Sequence, residues 1–535
     1  MVSTGSLEAT RAGVQILEEG GNAVDAAVAV GFALGAADPG GSGLGGMSYL
    51  LIHLENGRNV AVDGTAPAPL AVDGARLREL AATGEISGMA WSAVPTTPAA
   101  LVHALERYGT MELPRVLAPA IAIAERGFRL NAHHLTWIRD YLEPLRASDY
   151  LRFLVLRNGL EPGGVGERVC NPDLVSTLRL LAAAGVDAFY RGPISRAIED
   201  DMVHRGGFVR RADLATVRIR ELEPVRTLYR GVEVVSFPPP GGGGTVVETL
   251  NILSAFPSSL LAGTSVRRLH VLLEAFRIAQ ADDRRLAPPP GALFGASALR
   301  HLTPAFGRRR AALILPDRIL DVANLETQPD FNRLGDHTTH ASVADNLGNV
   351  VALTQTLGRQ YGAKVATPGL GFPYNSLLES FDLEHPDAPT APRPRALYST
   401  DMAPTILLSK DVFVAALGSA GSERVPECVA QVISNLVDGG LPVDDAVTAP
   451  RVLWGGTEPF KAYLEIAAPW TEADADSLEE MGYADIYRLR FPPRMIDLTF
   501  FGGVHAVARD TSWGGFLGVG DPRRLGVAAG PRIVR

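Results

Sequence analysis

Cysteine is almost absent from this 535-residue chain: Cys170 and Cys428 are the only two, far apart, with no Cys-x-x-Cys or Cys/His spacing around either. A disulfide framework and a zinc-ligand pattern are thereby excluded, and both cysteines are expected to be structural. Uninterrupted apolar runs are missing too; none approaches the roughly 20 residues of a membrane-spanning helix. The first residues, Met1 to Ser6, carry neither the basic n-region nor the apolar h-region of a signal peptide, so the expected location is cytoplasmic. Positive charge is in deficit, with 50 Lys and Arg against 59 Asp and Glu for a formal charge of -9. No Lys/Arg cluster with interleaved aromatics offsets that balance, which disfavours nucleic acid and leaves small molecules as the expected ligands. Linkers rich in Ser/Gly or in charge are also lacking, so the expectation is one large α/β body or two interlocked lobes.

What is present is ordinary globular composition, 46% apolar and 20% charged, enough for a substantial core. Ala9 to Gly20 reads as an amphipathic helix capped at Gly20-Gly21, and the small apolar stretch from Asn22 starts a second, buried helix. A glycine run, Gly40 to Gly46, precedes a strand from Met47 to Leu54. It lacks the Gly-Lys-Ser/Thr ending of a phosphate loop and stands in helix, loop, strand order, so close backbone packing beside a site is expected. From Pro98 to Leu269 the pattern is mostly helical. Pro238-Pro239-Pro240-Gly241-Gly242-Gly243-Gly244 separates a strand from a helix, either as a rigid turn or as a ligand contact.

Further on, Ala341 to Ala344 and Val350 to Thr356 predict a hairpin across Asp345 to Asn349, with Thr338 and Thr356 near the same end. Thr405 to Leu408 and Val412 to Leu417 predict another strand pair. It leads into Gly418 to Ser422 and a helix from Pro426 to Asp438, and this turn beside a helix N-terminus suits an anion or oxyanion. Taken alone, Thr338-Thr339 is a β-branched strand start. An internal threonine hydroxyl is a poor nucleophile, but a terminal one has its own α-amine, of pKa about 7.7 to 8.0, as base. Cleavage before Thr338 would therefore be the step that creates a nucleophile.

These pieces in order resemble the γ-glutamyltranspeptidase family of N-terminal nucleophile hydrolases over nearly the whole chain. The resemblance rests on Gly20 to Ala29, Gly43-Leu44-Gly45-Gly46, Asp187-Ala188-Phe189-Tyr190-Arg191-Gly192, Pro238 to Pro240, Thr338-Thr339-His340-Ala341-Ser342-Val343, Thr354-Gln355-Thr356-Leu357, Pro404-Thr405-Ile406 and Ala449-Pro450-Arg451. It implies an α+β, four-layer αββα sandwich, made as one precursor and cut into a large subunit, 1–337, and a small one, 338–535, that stay intertwined. It also implies Thr338 as nucleophile, Thr356 as the second threonine that orients it, and the amides of Gly421 and Ser422 as oxyanion hole. Ser422 replaces a family glycine. The chemistry so implied needs no metal and no organic cofactor.

The substrate positions depart from the family. The arginine that grips a glutamate α-carboxylate aligns with Thr65, and the residues that hold its α-amine align with Gly358, Leu377 and Ser380. Two carboxylate-touching serines align with Thr400 and Asp401. A glutamate zwitterion thus loses its clamp unless Arg359 or Arg424 replaces it, and leaving a buried charge unpaired costs about 3 to 5 kcal/mol. The expected function is a self-processing hydrolase acting through an acyl-enzyme on a non-γ-glutamyl amide or related carbonyl. The alternatives are a γ-glutamyl hydrolase or transpeptidase, a carbon-carbon bond hydrolase of an antibiotic pathway, and a non-catalytic metabolite binder.

Overall fold

Alternation of apolar and small polar residues makes two large antiparallel sheets, which a computed structural model places face to face. It describes residues 1–84, 86–291, 296–320, 337–410, 412–455, 461–490, 500–510, 512 and 514–532. The first sheet has seven strands in the order Val527–Ala529, Val2–Thr4, His337–Ala344, Val350–Gly358, Met47–His53, Asn59–Gly64, Arg220–Leu222. The second has six: Phe516–Val519, Gly503–Arg509, Val412–Ala420, Thr405–Ser409, Val232–Ser236, Val225–Tyr229. Every neighbouring pair in both is antiparallel.

Helices cover the outer faces, giving the four-layer αββα order. Ala23–Ala37 lies on the first sheet and is buried along its whole length. Its start is fixed by a capping box: Asn22 Oδ1 accepts from Val24 N (2.8 Å) and Asp25 N (3.0 Å), and Asp25 Oδ2 accepts from Asn22 N (2.8 Å). Small side chains let it sit close, since a Cβ on Gly31 would come within 2.7 Å of Leu101 and 3.2 Å of Gln355. On the far side, Gly243–Leu253, Val266–Leu286 and Val425–Val437 form the outer layer and share a second core with the outer face of the second sheet.

Most sequence boundaries hold within two or three residues. The first helix is Leu7–Glu18, with Gly20 at φ 90° just beyond it. The hairpin strands are longer than the pattern suggests, because Thr and His at their ends still pair. The strand expected to stop at Leu417 runs on to Ala420, so Gly418 to Ala420 are strand and the turn starts at Gly421. The stretch Pro98 to Leu269 is less helical than expected, supplying the edge strands Arg220–Leu222 and Val225–Tyr229 and the strand Val232–Ser236 beside the latter. Cys428 is a core residue whose Sγ donates to Phe501 O (3.3 Å), whereas Cys170 is exposed and has no packing role of that kind. Among the described residues no helix is long and apolar enough to cross a membrane.

Candidate active site

Thr338 is the second residue of its strand and lies opposite Thr356; both are buried. The ladder slips by one residue at this point: Thr338 pairs with Thr356 but His337 pairs with Gly358, leaving Leu357 extra. The irregularity thus falls on the bond between His337 and Thr338, and such bulges re-aim the chain next to them. Alternation along the strand puts Thr338, His340 and Ser342 on one face. That face looks at the second sheet, because His340 occupies the space a Cβ on Gly418 would need.

His340 stitches the face together. Its Nδ1 meets Thr354 Oγ1 (2.8 Å) and its Nε2 meets Ser342 Oγ (3.0 Å), which in turn donates to His505 O (3.0 Å). Burial pushes the imidazole pKa well below its usual value, so it stays neutral here. Sequence reasoning placed His340 in a motif without giving it this role.

The registers extend a row across the sheet from Thr338 through Thr356 to Met47, and Thr65 follows directly on the next strand. At about 4.8 Å per strand, Thr65 stands about 10 Å from Thr356. Its Oγ1 donates to Asp63 Oδ1 (2.5 Å), its N–H donates to the same oxygen (2.8 Å), and Tyr49 OH closes on Oγ1 at 2.6 Å. Burial, followed by the Asp63 carboxylate, raises the Tyr49 pKa well above normal, so this phenol keeps its proton. Arg220 enters here only to pair with Asp63, through Nε at 2.9 Å.

Gly358 and Leu377 adjoin the two threonines. Thr356 Oγ1 accepts from Gly358 N (3.0 Å), and Gly358 has φ 87°. A Cβ there would sit 2.7 Å from Ser376 Oγ and 3.2 Å from Leu377 Cδ2, so no side chain enters without displacing Ser376. Leu377 is buried and Ser380, ending the same short 3-10 helix, is half-buried. Arg359 is already engaged: its Nε donates to Glu379 Oε2 at 2.6 Å. Arg424 is engaged as well, its Nε (3.1 Å) and backbone N (3.2 Å) both donating to Gly421 O, with its guanidinium over the Phe500 ring.

That contact orients the turn. Because the Gly421 carbonyl faces Arg424, the Ser422 N–H of the same trans peptide points the opposite way. Gly421 has φ 135° and its Cβ position is only 3.1 Å from Gly502 Cα, while Ser422 adopts the left-handed φ of 55° that glycine takes at no cost. Thr400 donates its N–H to Pro240 O (2.8 Å), and Gly242 packs directly on the backbone of the half-buried Asp401. The Pro238 to Gly244 run therefore cradles residues 400–402. The other glycine run does what was expected: a Cβ on Gly45 would overlap Pro373 O, and one on Gly46 would overlap Thr356 O. Asn375, which no sequence signal marked, ties this run to the pocket by donating to Gly45 O (2.7 Å) and Ala93 O (3.0 Å) and accepting from Leu377 N (3.1 Å).

Residues 9–531 match the family model for gamma-glutamyltranspeptidase. The chain belongs to the gamma-glutamyltranspeptidase family. It is accordingly an enzyme of the N-terminal nucleophile hydrolase class, with that fold. It is similar to an acylase ACY 1 proenzyme of Pseudomonas sp. (strain SE83), at 36% identity over 95% of this chain and 89% of the relative. It is also similar to a glutathione hydrolase proenzyme of Escherichia coli (strain K12), at 32% identity over 84% of this chain and 80% of that one. Among solved structures, a cephalosporin acylase from Bacillus halodurans superposes with TM-score 0.85 at 26% identity, covering 99% of this chain and 95% of the other. A gamma-glutamyltranspeptidase from Helicobacter pylori gives TM-score 0.55 at 29% identity over 62% of this chain and 95% of its own.

Proposed function

We propose that this member of the gamma-glutamyltranspeptidase family cuts itself between His337 and Thr338 and then uses Thr338 to hydrolyse the amide of a non-γ-glutamyl acyl compound. The freed α-amine takes the Thr338 hydroxyl proton as Oγ attacks the carbonyl. The oxyanion sits on the N–H groups of Gly421 and Ser422, the amine leaves with the proton, and water then releases the acyl group from the threonyl ester. Thr356 orients the nucleophile. The carrying observation is the pairing of Thr338 with Thr356 at a bulge that falls on the bond to be cut.

Two parts, 1–337 and 338–535, would remain intertwined, since both contribute strands to each sheet and in the seven-stranded sheet these are interleaved. Both curated relatives named above are proenzymes, which supports a precursor. The acyl preference follows from Thr65 being closed off by Asp63 and Tyr49, from Gly358 having no room for a side chain, and from Arg359 being held by Glu379. Similarity to a glutathione hydrolase favours the second reading, a γ-glutamyl hydrolase. Intact-mass measurement of the wild type beside Thr338→Ala tests the cut, and a protein active as one uncut chain refutes it. Turnover of a γ-glutamyl anilide at the rate of pentanoyl 4-nitroanilide would refute the substrate assignment.

A further inference from the structure

Residues 395–400 form a strap tied at one end beside the first sheet and at the other beside the second. At its start, Ala68 N donates to Ala396 O (2.9 Å) and Arg395 N donates to Ala68 O (3.0 Å), just beyond Thr65. At its end, Thr400 N donates to Pro240 O (2.8 Å), just beyond the strand Val232–Ser236. Tyr398 lies between the two ties and is buried. Its ring packs on Phe381, with centroids 5.6 Å apart, directly after the short 3-10 helix that carries Leu377 and Ser380. Its hydroxyl donates to Met47 Sδ (2.7 Å), and Met47 lies opposite Thr356 in the row that starts at Thr338.

A thioether sulfur is a weak acceptor for such a hydroxyl. Tyr49 OH, on the same strand as Met47, has by contrast an oxygen partner in Thr65 Oγ1 (2.6 Å). Methionine is also unbranched and adaptable, so its side chain yields its place to an entering chain more readily than a stiffer one. Burial first, and then the Asp63 and Glu379 carboxylates, raise the Tyr398 pKa well above normal, so the phenol keeps its proton and serves as a donor. Asp63 accepts from Thr65 N (2.8 Å) and Arg220 Nε (2.9 Å), and Glu379 accepts from Arg359 Nε (2.6 Å) and Ser376 Oγ (2.8 Å). An oxygen acceptor would take the phenol's hydrogen bond from the sulfur, and an uncharged one would do so without opposing these two carboxylates.

We infer that Tyr398 is a specificity-determining residue whose hydroxyl selects acyl chains carrying an uncharged carbonyl or ether oxygen a few carbons from the scissile carbonyl. That oxygen takes the place of Met47 Sδ. The inference rests on the reading that Thr338 is where the carbonyl reacts, and it names a chemical class for the acyl group of that reaction.

Calorimetric titration of the wild-type protein with 5-oxohexanamide, hexanamide and glutaric acid monoamide tests it by binding rather than by turnover. The keto amide is expected to bind about three- to tenfold more tightly than hexanamide, which has the same chain length, and the carboxylate more weakly than the keto amide. Tyr398→Phe keeps the ring on Phe381 and loses only a hydrogen bond to sulfur, so it should melt within about 4 °C of the wild type. In that variant the keto amide should bind no more tightly than hexanamide, because its oxygen is then buried without a donor. Should the variant fail to fold, the wild-type ranking decides alone. Equal binding of the keto amide and hexanamide, tighter binding of the carboxylate, no measurable binding of any of the three, or an unchanged preference in folded Tyr398→Phe overturns the assignment. Release of 4-nitroaniline from pentanoyl 4-nitroanilide is read separately. Its failure would sink the chemistry of Thr338 while leaving a measured preference for the keto amide standing.

Discussion

Ser422→Gly separates the two ways in which this residue could serve an oxyanion, through its amide or through its hydroxyl. The left-handed φ of 55° places a Cβ where it costs about 1 to 2 kcal/mol, a strain that glycine removes. Against that gain, the substitution deletes the Ser422 hydroxyl contact to the Glu423 carboxyl, worth about 0.5 to 1.5 kcal/mol. Glycine also frees the unfolded chain, at about 0.4 to 1 kcal/mol. These terms nearly cancel, so stability should change by no more than about 1 kcal/mol. The N–H is untouched and stays aimed away from Arg424, so kcat should remain within about threefold, whereas loss of a donor costs about 100- to 1,000-fold. Thermal melting and initial rates with pentanoyl 4-nitroanilide on the same preparation read both numbers. A variant that melts like the wild type yet loses two decades of kcat would show that the hydroxyl carries the oxyanion, and the amide assignment would be wrong.

Glu379→Gln should release Arg359, whose Nε now donates to Glu379 Oε2, and lower KM for glutaryl 4-nitroanilide by about tenfold relative to the pentanoyl compound; an unchanged ratio would show that Arg359 does not reach the acyl group. Gly358→Asn should not restore γ-glutamyl turnover, because the new Cβ meets Ser376 Oγ, itself bonded to Arg359 N and Glu379 Oε1; a loss of about 1 to 3 kcal/mol in urea melts is expected, and a gain in γ-glutamyl rate would refute the crowding argument. Glu423 has its folded pKa raised to about 7, so the native state holds a proton that the unfolded chain releases near pH 4.3, and stability should fall as pH rises from about 4.3 to about 7. Glu423→Gln should flatten part of that slope in urea midpoints measured across the window, and an identical slope would mean that this carboxyl ionises as freely as in the unfolded chain.

The groups proposed to react were legible in the sequence because they sit in short, ordered segments whose spacing survives as strand register. Thr338 and Thr356 are one hairpin apart, and the hairpin pattern alone predicts that they meet. Gly421 and Ser422 were legible as a turn before a helix, although the strand reaches three residues further than expected. The pocket was not legible in that way. Whether Thr65 and Gly358 leave room for a charged clamp depends on Tyr49 and on Ser376, which the folding of the chain draws against them from other segments. Asn375 carries no local signal either, since the carbonyls of Gly45 and Ala93 that it binds are brought near only by tertiary packing.

The same contrast explains how one sheet could hold both a precursor bond and a reacting group. On one side the strand carrying Thr338 is paired along its length with Val350–Gly358, whereas on the other side Val2–Thr4 pairs only with Ala341 to Val343. Residues from Thr339 onward thus keep their ladder whether or not the chain is continuous at His337. Among the described residues, Thr338 itself is paired with Thr356 on one flank and has no strand partner on the other. A new amine there would be held by the hairpin. The bulge at His337–Thr338 then belongs to the fold as well as to the proposed cut, since it ends regular pairing at the residue proposed to become reactive.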